Sequence, residues 1–331
     1  EAVVRNKIGK PLGDITASDV ADTKTLLIDK DSNVTDLSGI EYFTALEALE
    51  IYSRQLTVLD VSNNKRLIHL DCRNAQLITL DLSLNASLVF VNVYGNQLTS
   101  INVHGAIALE RLFCENNELD SLDVSQNRAL TMLDCSGNRL TELNVSQNAL
   151  LEYFSCGSNS LTELDVSKNF SLVSLSCTGN DLTTLDVRSN TALNILNCGY
   201  NQLTELDITN NTELRQFDCF ENQLTTLDIS NNSELCLLNC GNNQLATLDL
   251  HSNMTLSNLY CDGNQLDELD ISHNPALITV LCRDNRLTTL DIRNNPNLLY
   301  LECEGNYFSD RSAILGADEK GLRTLVFDPQ R

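Results

Sequence analysis

The chain has 331 residues, 42% of them hydrophobic and 20% charged, and its formal net charge is −23. That balance suits a folded, soluble protein rather than a disordered one. It disfavours nucleic acid as a partner, because an acidic surface repels phosphate. No run approaches the ~18 apolar residues of a membrane span, and no charged-then-apolar leader opens the chain, so membrane insertion is not expected.

Residues 1–23, EAVVRNKIGKPLGDITASDVADT, predict two short helices that close one end of the molecule. Thr16 or Ser18 is the N-cap of the second, and Gly9 with Pro11 punctuates the first. A first strand follows around Leu26 to Ile28, in a unit slightly longer than those behind it. From there to residue 306 the chain repeats in about 12–13 units of 21 residues. Cysteine marks the period at Cys72, Cys114, Cys135, Cys156, Cys177, Cys198, Cys219, Cys240, Cys261, Cys282 and Cys303; Val93 and Ile51 fill the same slot. The tail, residues 307–331, predicts a short helix near Ser312–Leu315 and a final strand near Arg323–Phe327 that covers the last coil. Cap, repeats and tail together are expected to form one structural domain.

Each unit reads L-x-x-L-x-C-x-x-N-x-L-T-x-L-D-V/I-S-x-N-x-x. This resembles the leucine-rich repeat, in which a strand is followed by a turn and a return segment. The alternation in x-L-x-C-x turns leucine and cysteine inward and their neighbours outward. One strand per coil, stacked ~4.8 Å apart, builds a parallel sheet on one face. The expected fold is therefore a leucine-rich-repeat solenoid, a right-handed superhelix of weak curvature, with short extended or 3₁₀ segments on the other face. The stretch NVTDLSGIEYFTAL, the helical N-terminal cap and the short repeats look similar to the bacterial internalins, specifically to members with a cysteine ladder. That resemblance implies a non-enzymatic extracellular or cell-surface adhesion or recognition module, with signal peptide and anchor lying outside this sequence. The tail departs from the immunoglobulin-like region that commonly follows internalin repeats.

The conspicuous columns read as scaffold. Eleven thiols in a straight file cannot converge on a metal, and neighbouring inward Cβ atoms sit too far apart for disulfides. A slot that also takes valine and isoleucine is an apolar packing slot, filled by a small hydrophobe. Cys236, outside the file, is expected to be exposed and the most reactive thiol. Asparagine recurs three residues past the cysteine slot from Asn96 to Asn306 and is expected to bond the backbone of its own and adjacent coils; Ala75 breaks this column, and looser order is expected there. A second asparagine closes the return half, as at Asn211. An aspartate column (Asp60, Asp81, Asp123, Asp165, Asp186, Asp207, Asp228, Asp249, Asp270, Asp291) needs compensation from hydrogen bonds or from calcium between coils. The NVT sequon at Asn33 is a by-product of the repeat. No nucleophile–base pair, phosphate loop or zinc spacing occurs among the motifs, so no catalytic residue, cofactor or metal is expected.

Binding is expected on the outward strand residues. Phe90, Tyr94, Arg111, Phe113, Met132 and Tyr153 form the leading candidate patch, rich in the residue types that interface cores favour. Phe220, Tyr260, Asp262, Tyr300 and Glu302 form a weaker second cluster. The expected partner is a protein or glycoprotein, met by a monomer. Alternatives are a carbohydrate-binding surface, with rings stacking on sugar, or a passive spacer in a longer surface protein.

Overall fold

The structure, a computed structural model, describes residues 2–29, 34–319 and 321–331; the Asn33 sequon lies outside them. The chain forms two compact units, residues 1–164 and 165–331. In the first, the strands Thr25–Ile28, Ala48–Ile51, His69–Asp71, Phe90–Asn92, Arg111–Phe113, Met132–Asp134 and Tyr153–Ser155 pair in chain order, every pair parallel. In the second, Ser174–Ser176, Ile195–Asn197, Gln216–Asp218, Leu237–Asn239, Asn258–Tyr260, Thr279–Leu281, Tyr300–Glu302 and Thr324–Val326 do the same. Within the repeats the register is one sequence period per coil: Ser174 faces Ile195, which faces Gln216. This is the parallel leucine-rich-repeat solenoid that the sequence predicts.

The alternation appears in burial. Leu112 and Cys114 are fully buried, while Arg111 is exposed and Phe113 half-buried. All eleven column cysteines, with Val93 and Ile51, are buried. No coil could hide these side chains alone; each is covered by the coils before and after it. The return side of the repeats is made of turns and extended chain. Two short parallel pairs occur there, Thr79–Asp81 with Ser100–Asn102 and Leu290–Asp291 with Ile314–Leu315. The 3₁₀ turns allowed for by the sequence fall elsewhere, at Ile40–Tyr42 in the long first unit and at Arg311–Ala313 and Ala317–Glu319 in the tail.

Two asparagine ladders fasten coil to coil. In the first, Asn117 donates from Nδ2 to the carbonyls of Cys114 and Val93, both at 3.0 Å, and its Oδ1 accepts from the Leu98 N–H at 3.0 Å. Asn201, Asn222, Asn243, Asn264 and Asn306 repeat the pattern. The amide thus satisfies three backbone groups on two coils that the turn would otherwise leave buried and bare. In the second ladder, Asn211 Nδ2 donates to Val187 O at 3.0 Å and Asn190 O at 2.8 Å; Asn64, Asn85, Asn127, Asn232, Asn253 and Asn274 donate likewise. Ala106 interrupts this ladder. Beside it a Cβ on Gly105 would lie 1.8 Å from Ser83 O, so only glycine fits there.

At the first end stand helices Ala2–Ile8 and Ala17–Val20, the second with Thr16 as N-cap. The Asp19 carboxylate accepts from the Thr16 N–H at 2.7 Å. In the tail, Arg311–Ala313 makes one 3₁₀ turn instead of the predicted helix over Ser312–Leu315, because Ile314–Leu315 extends to pair with Leu290–Asp291. The final strand Thr324–Val326 pairs with Tyr300–Glu302 as expected.

Asn117→Ala strands one buried N–H and removes a donor from two buried carbonyls. It is expected to lower unfolding free energy by about 2–4 kcal/mol. Guanidinium melts read by circular dichroism check this; an unchanged midpoint would refute the ladder's role.

Candidate binding surface

The outward residues of the first unit lie in the order the register dictates. Phe90, Arg111, Met132 and Tyr153 occupy one line across four strands; Phe113 stands in the neighbouring line beside Asn92 and Asp134. Tyr94 follows Val93 on the turn side of the same sheet. The rings form a connected strip. His69 stacks on Phe90 with centroids 4.4 Å apart and planes 3° off parallel. Phe90 meets Phe113 at 5.8 Å and 49°, a tilted contact of the kind aromatic quadrupoles favour. The Arg111 guanidinium lies 5.2 Å from the Phe90 ring centre, within cation–π reach. Phe90, Tyr94, Phe113 and Met132 are half-buried, Arg111 is exposed and Tyr153 is 45% exposed.

The strip extends past the residues singled out in the sequence. His69 was visible in the same column, but histidine alone gives no reason to expect a stack. Arg73 lies over the Tyr52 ring at 5.4 Å and pairs with Asp71 at 3.0 Å. Beyond Tyr94 in its column, Glu115 is half-buried, and burial, chiefly, pushes its carboxyl up.

The second cluster divides. Phe220 packs over the bare Cα of Gly241, where a Cβ would sit 3.0 Å from the ring, and meets Tyr200 edge-on at 5.3 Å. Asp262 and Glu302 gather at Arg283, which reaches Glu302 at 3.3 Å, Asp262 at 3.7 Å and Glu304 at 4.0 Å. Leu281 stands between Tyr260 and Glu302 in register. The Tyr260 hydroxyl accepts from Asn258 at 3.1 Å, and the Tyr300 hydroxyl from Arg323 at 3.5 Å. Tyr200 is 57% exposed at φ +52° and was missed. Its signal lay two residues past the cysteine slot, in a left-handed column otherwise held by Asn74, Gly95, Asn116, Gly137, Ser158, Gly179, Glu221, Asn242, Gly263, Asp284 and Gly305.

The column cysteines are free thiols. Burial pushes Cys177 and Cys240 up to about 12, which removes the thiolate that reactivity requires. Cys114 Sγ donates to Asp134 O at 3.4 Å. Cys236 is half-buried rather than exposed, and its thiol donates to Arg215 O at 3.1 Å. Among the described residues no group of three or more His, Cys, Asp or Glu is placed to hold a metal ion.

The aspartate column closes turns. Asp60, Asp165, Asp207 and Asp228 each accept from the backbone N–H two residues on, at 2.8 to 3.0 Å. Asn102 and Asn144 do the same in its two gaps. Hydrogen bonds from Ser62, Ser167 and Thr209 hold Asp60, Asp165 and Asp207 below the ordinary carboxylate value. Arg188 and Arg293 bring Asp186 and Asp291 to about 2. The compensation that the stacked acids need is thus supplied by the turns.

No family model matches the chain, and no curated protein does. Solved structures do. The functional domain of InlJ from Listeria monocytogenes, which includes a cysteine ladder, is 34% identical with a TM-score of 0.94; the match covers 99% of this chain and 73% of that one. A leucine-rich-repeat protein of Leptospira interrogans is 22% identical with a TM-score of 0.83, covering 95% and 86%. The internalin InlF of Listeria monocytogenes is 19% identical with a TM-score of 0.77, covering 99% and 94%.

Two outcomes follow from these groups. In the native protein at pH 8 the column thiols are expected to resist a disulfide reagent, whereas in 6 M guanidinium all 12 cysteines titrate; rapid native labelling of the column would contradict the burial. Stability is expected to depend on acid. Aspartates held low in the fold return to ~3.9 on unfolding, so their contribution is present above that value and lost as pH falls toward 2. Asp71, Glu115 and Asp262, raised chiefly by burial, act in the opposite sense but are fewer. Asp207→Asn with Asp228→Asn should melt somewhat below the wild type at pH 7 and converge with it as pH falls toward 2; an identical pH profile would count against the turn bonds.

Proposed function

The chain belongs to the internalin family of leucine-rich-repeat proteins, and on that premise we propose that it is a non-enzymatic recognition module, extracellular or at the cell surface, that grips a protein partner through the outward sheet face of residues 1–164. The observation that carries the reading is the connected strip His69–Phe90–Phe113 with Arg111 across it. Outward strand positions face water and need no such side chains for folding. Elsewhere in the same columns Ser155, Ser174, Ser176 and Gly199 serve. Rings with few rotors and an arginine supply contact area at small entropic cost, and a sheet fastened by asparagines holds them without rearrangement.

In this reading residues 24–306 form the repeats, residues 1–23 and 307–331 cap them, and the whole works as one monomeric domain. No helix among the described residues is long and apolar enough to cross a membrane. Met132 and Tyr153 extend the strip along the register, and Tyr94 borders it.

Replacing Phe90, Phe113 and Tyr153 together by serine is expected to weaken partner binding at least about a hundredfold, the loss of more than one hot-spot side chain, while melting is little changed. Surface plasmon resonance against arrayed extracellular proteins and glycans reads it. Retention of every wild-type ligand sinks the strip; loss of glycan ligands alone replaces a protein partner by a sugar.

A further inference from the structure

The return side of the second unit holds two of the chain's four histidines. His251 and His273 come from successive coils, both are exposed, and their ring centroids are 4.1 Å apart with planes at 53°. Each departs from its column. The place of His251 is held by Ser62, Ser125, Ser230 and Ser272 in other coils, and that of His273 by Gln126, Lys168 and Asn231. Folding therefore does not require an imidazole at either position.

The backbone beneath them is fixed from both sides. Asn274, next to His273, donates to Leu250 O at 2.9 Å and to Asn253 O at 2.8 Å, the residues that bracket His251. The His251 N–H is held by Asp249 at 2.9 Å. Ser272 Oγ lies 3.1 Å from His273 Nδ1. When the serine oxygen accepts that N–H, the lone pair is left on Nε2, the usual arrangement for a ligating histidine whose other nitrogen is engaged. The Asp270 carboxylate lies within electrostatic reach of both rings.

We propose that His251 and His273 chelate one divalent transition metal ion of the zinc, nickel or copper type, through one nitrogen from each ring, with water in the remaining positions. Two nitrogens bound to one such ion at ~2.0–2.1 Å in tetrahedral geometry stand roughly 3.3 Å apart. The two ring centres lie 4.1 Å apart on exposed side chains, so chelation asks the imidazoles to turn about their own side-chain bonds. Imidazole suits these metals better than magnesium or calcium, which take oxygen. Asp249 and Asp270 in the adjoining turns make the surroundings favourable to a cation. The site needs no part of the aromatic strip, so the two stand or fall separately.

Isothermal titration calorimetry tests this with zinc chloride at pH 7.5, on the untagged, chelator-treated chain carrying Cys236→Ser to remove the half-buried thiol. One equivalent is expected to bind with a micromolar dissociation constant. His251→Gln and His273→Gln should each weaken binding at least about tenfold, no less than the loss of an outer-sphere partner costs, whereas His104→Gln should not. Absence of binding, full affinity in either single variant, or an equal loss in His104→Gln overturns the proposal.

Discussion

The carboxamide that crosses from one coil to the next is the constraint on which the rest of the structure depends. A coil of 21 residues must turn sharply after its strand, and a sharp turn points backbone carbonyls and N–H groups at an apolar interior. Asn117 meets this with one side chain, bonding Cys114 of its own coil, Val93 of the coil before, and Leu98 of the return segment. Satisfying three buried backbone groups at once is a task that only an amide, donor and acceptor together, can perform. Once the amide spans two coils, the period can neither slip nor absorb an insertion. The cysteine slot follows from that geometry, because a small apolar side chain fills the space left between the turn and the strand leucine.

Repetition made the scaffold legible. A residue that recurs at the same place in successive coils is answering a demand that every coil makes, so the parallel sheet, the inward leucines and the first ladder could all be read from the sequence. What could not be read were effects that join two columns. The stack of His69 on Phe90 depends on rotamers and on strand spacing, not on residue type. The seat of Phe220 depends on Gly241, whose missing Cβ leaves room for the ring. Cys236 is half-buried, and its thiol joins the backbone in donating to the Arg215 carbonyl of the preceding coil. The tail is a similar case, since Ile314–Leu315 takes its shape from Leu290–Asp291, which is distant along the chain.

The same logic separates acids that hold the fold from acids that sit on its face. Column aspartates accept hydrogen bonds from the turn and are held low; they are part of the backbone's accounting. Asp262, by contrast, is raised by burial and is shared with Arg283, Glu302 and Glu304. That group is found in one place only among the described coils and serves no repeated need. A uniform surface charge of this size keeps such a protein dissolved, while a local departure from it marks where a surface has been shaped.

The left-handed column carries this distinction furthest. Every coil from Asn74 to Gly305 takes positive φ two residues past the cysteine slot. Glycine and asparagine adopt that conformation readily, while other side chains crowd the backbone. Ser158, Tyr200 and Glu221 adopt it nevertheless, at φ of 52°, 52° and 53°. The ladder sets the turn, so the backbone keeps its shape whichever residue occupies it, and strain there is tolerated because neighbouring coils fix the path. Glu221 accepts a bond from Asn242 at 2.8 Å, which offsets part of its cost. Tyr200 has instead a ring held edge-on against Phe220 and more than half exposed. A bulky aromatic in a glycine position, kept at the surface by a scaffold that does not need it, is a departure of the same kind as Phe90 and Phe113 in the first unit. In both units the ladders give the backbone enough rigidity for the outward residues to vary independently of the fold, and it is this separation that lets one repeat serve as scaffold and as recognition surface together.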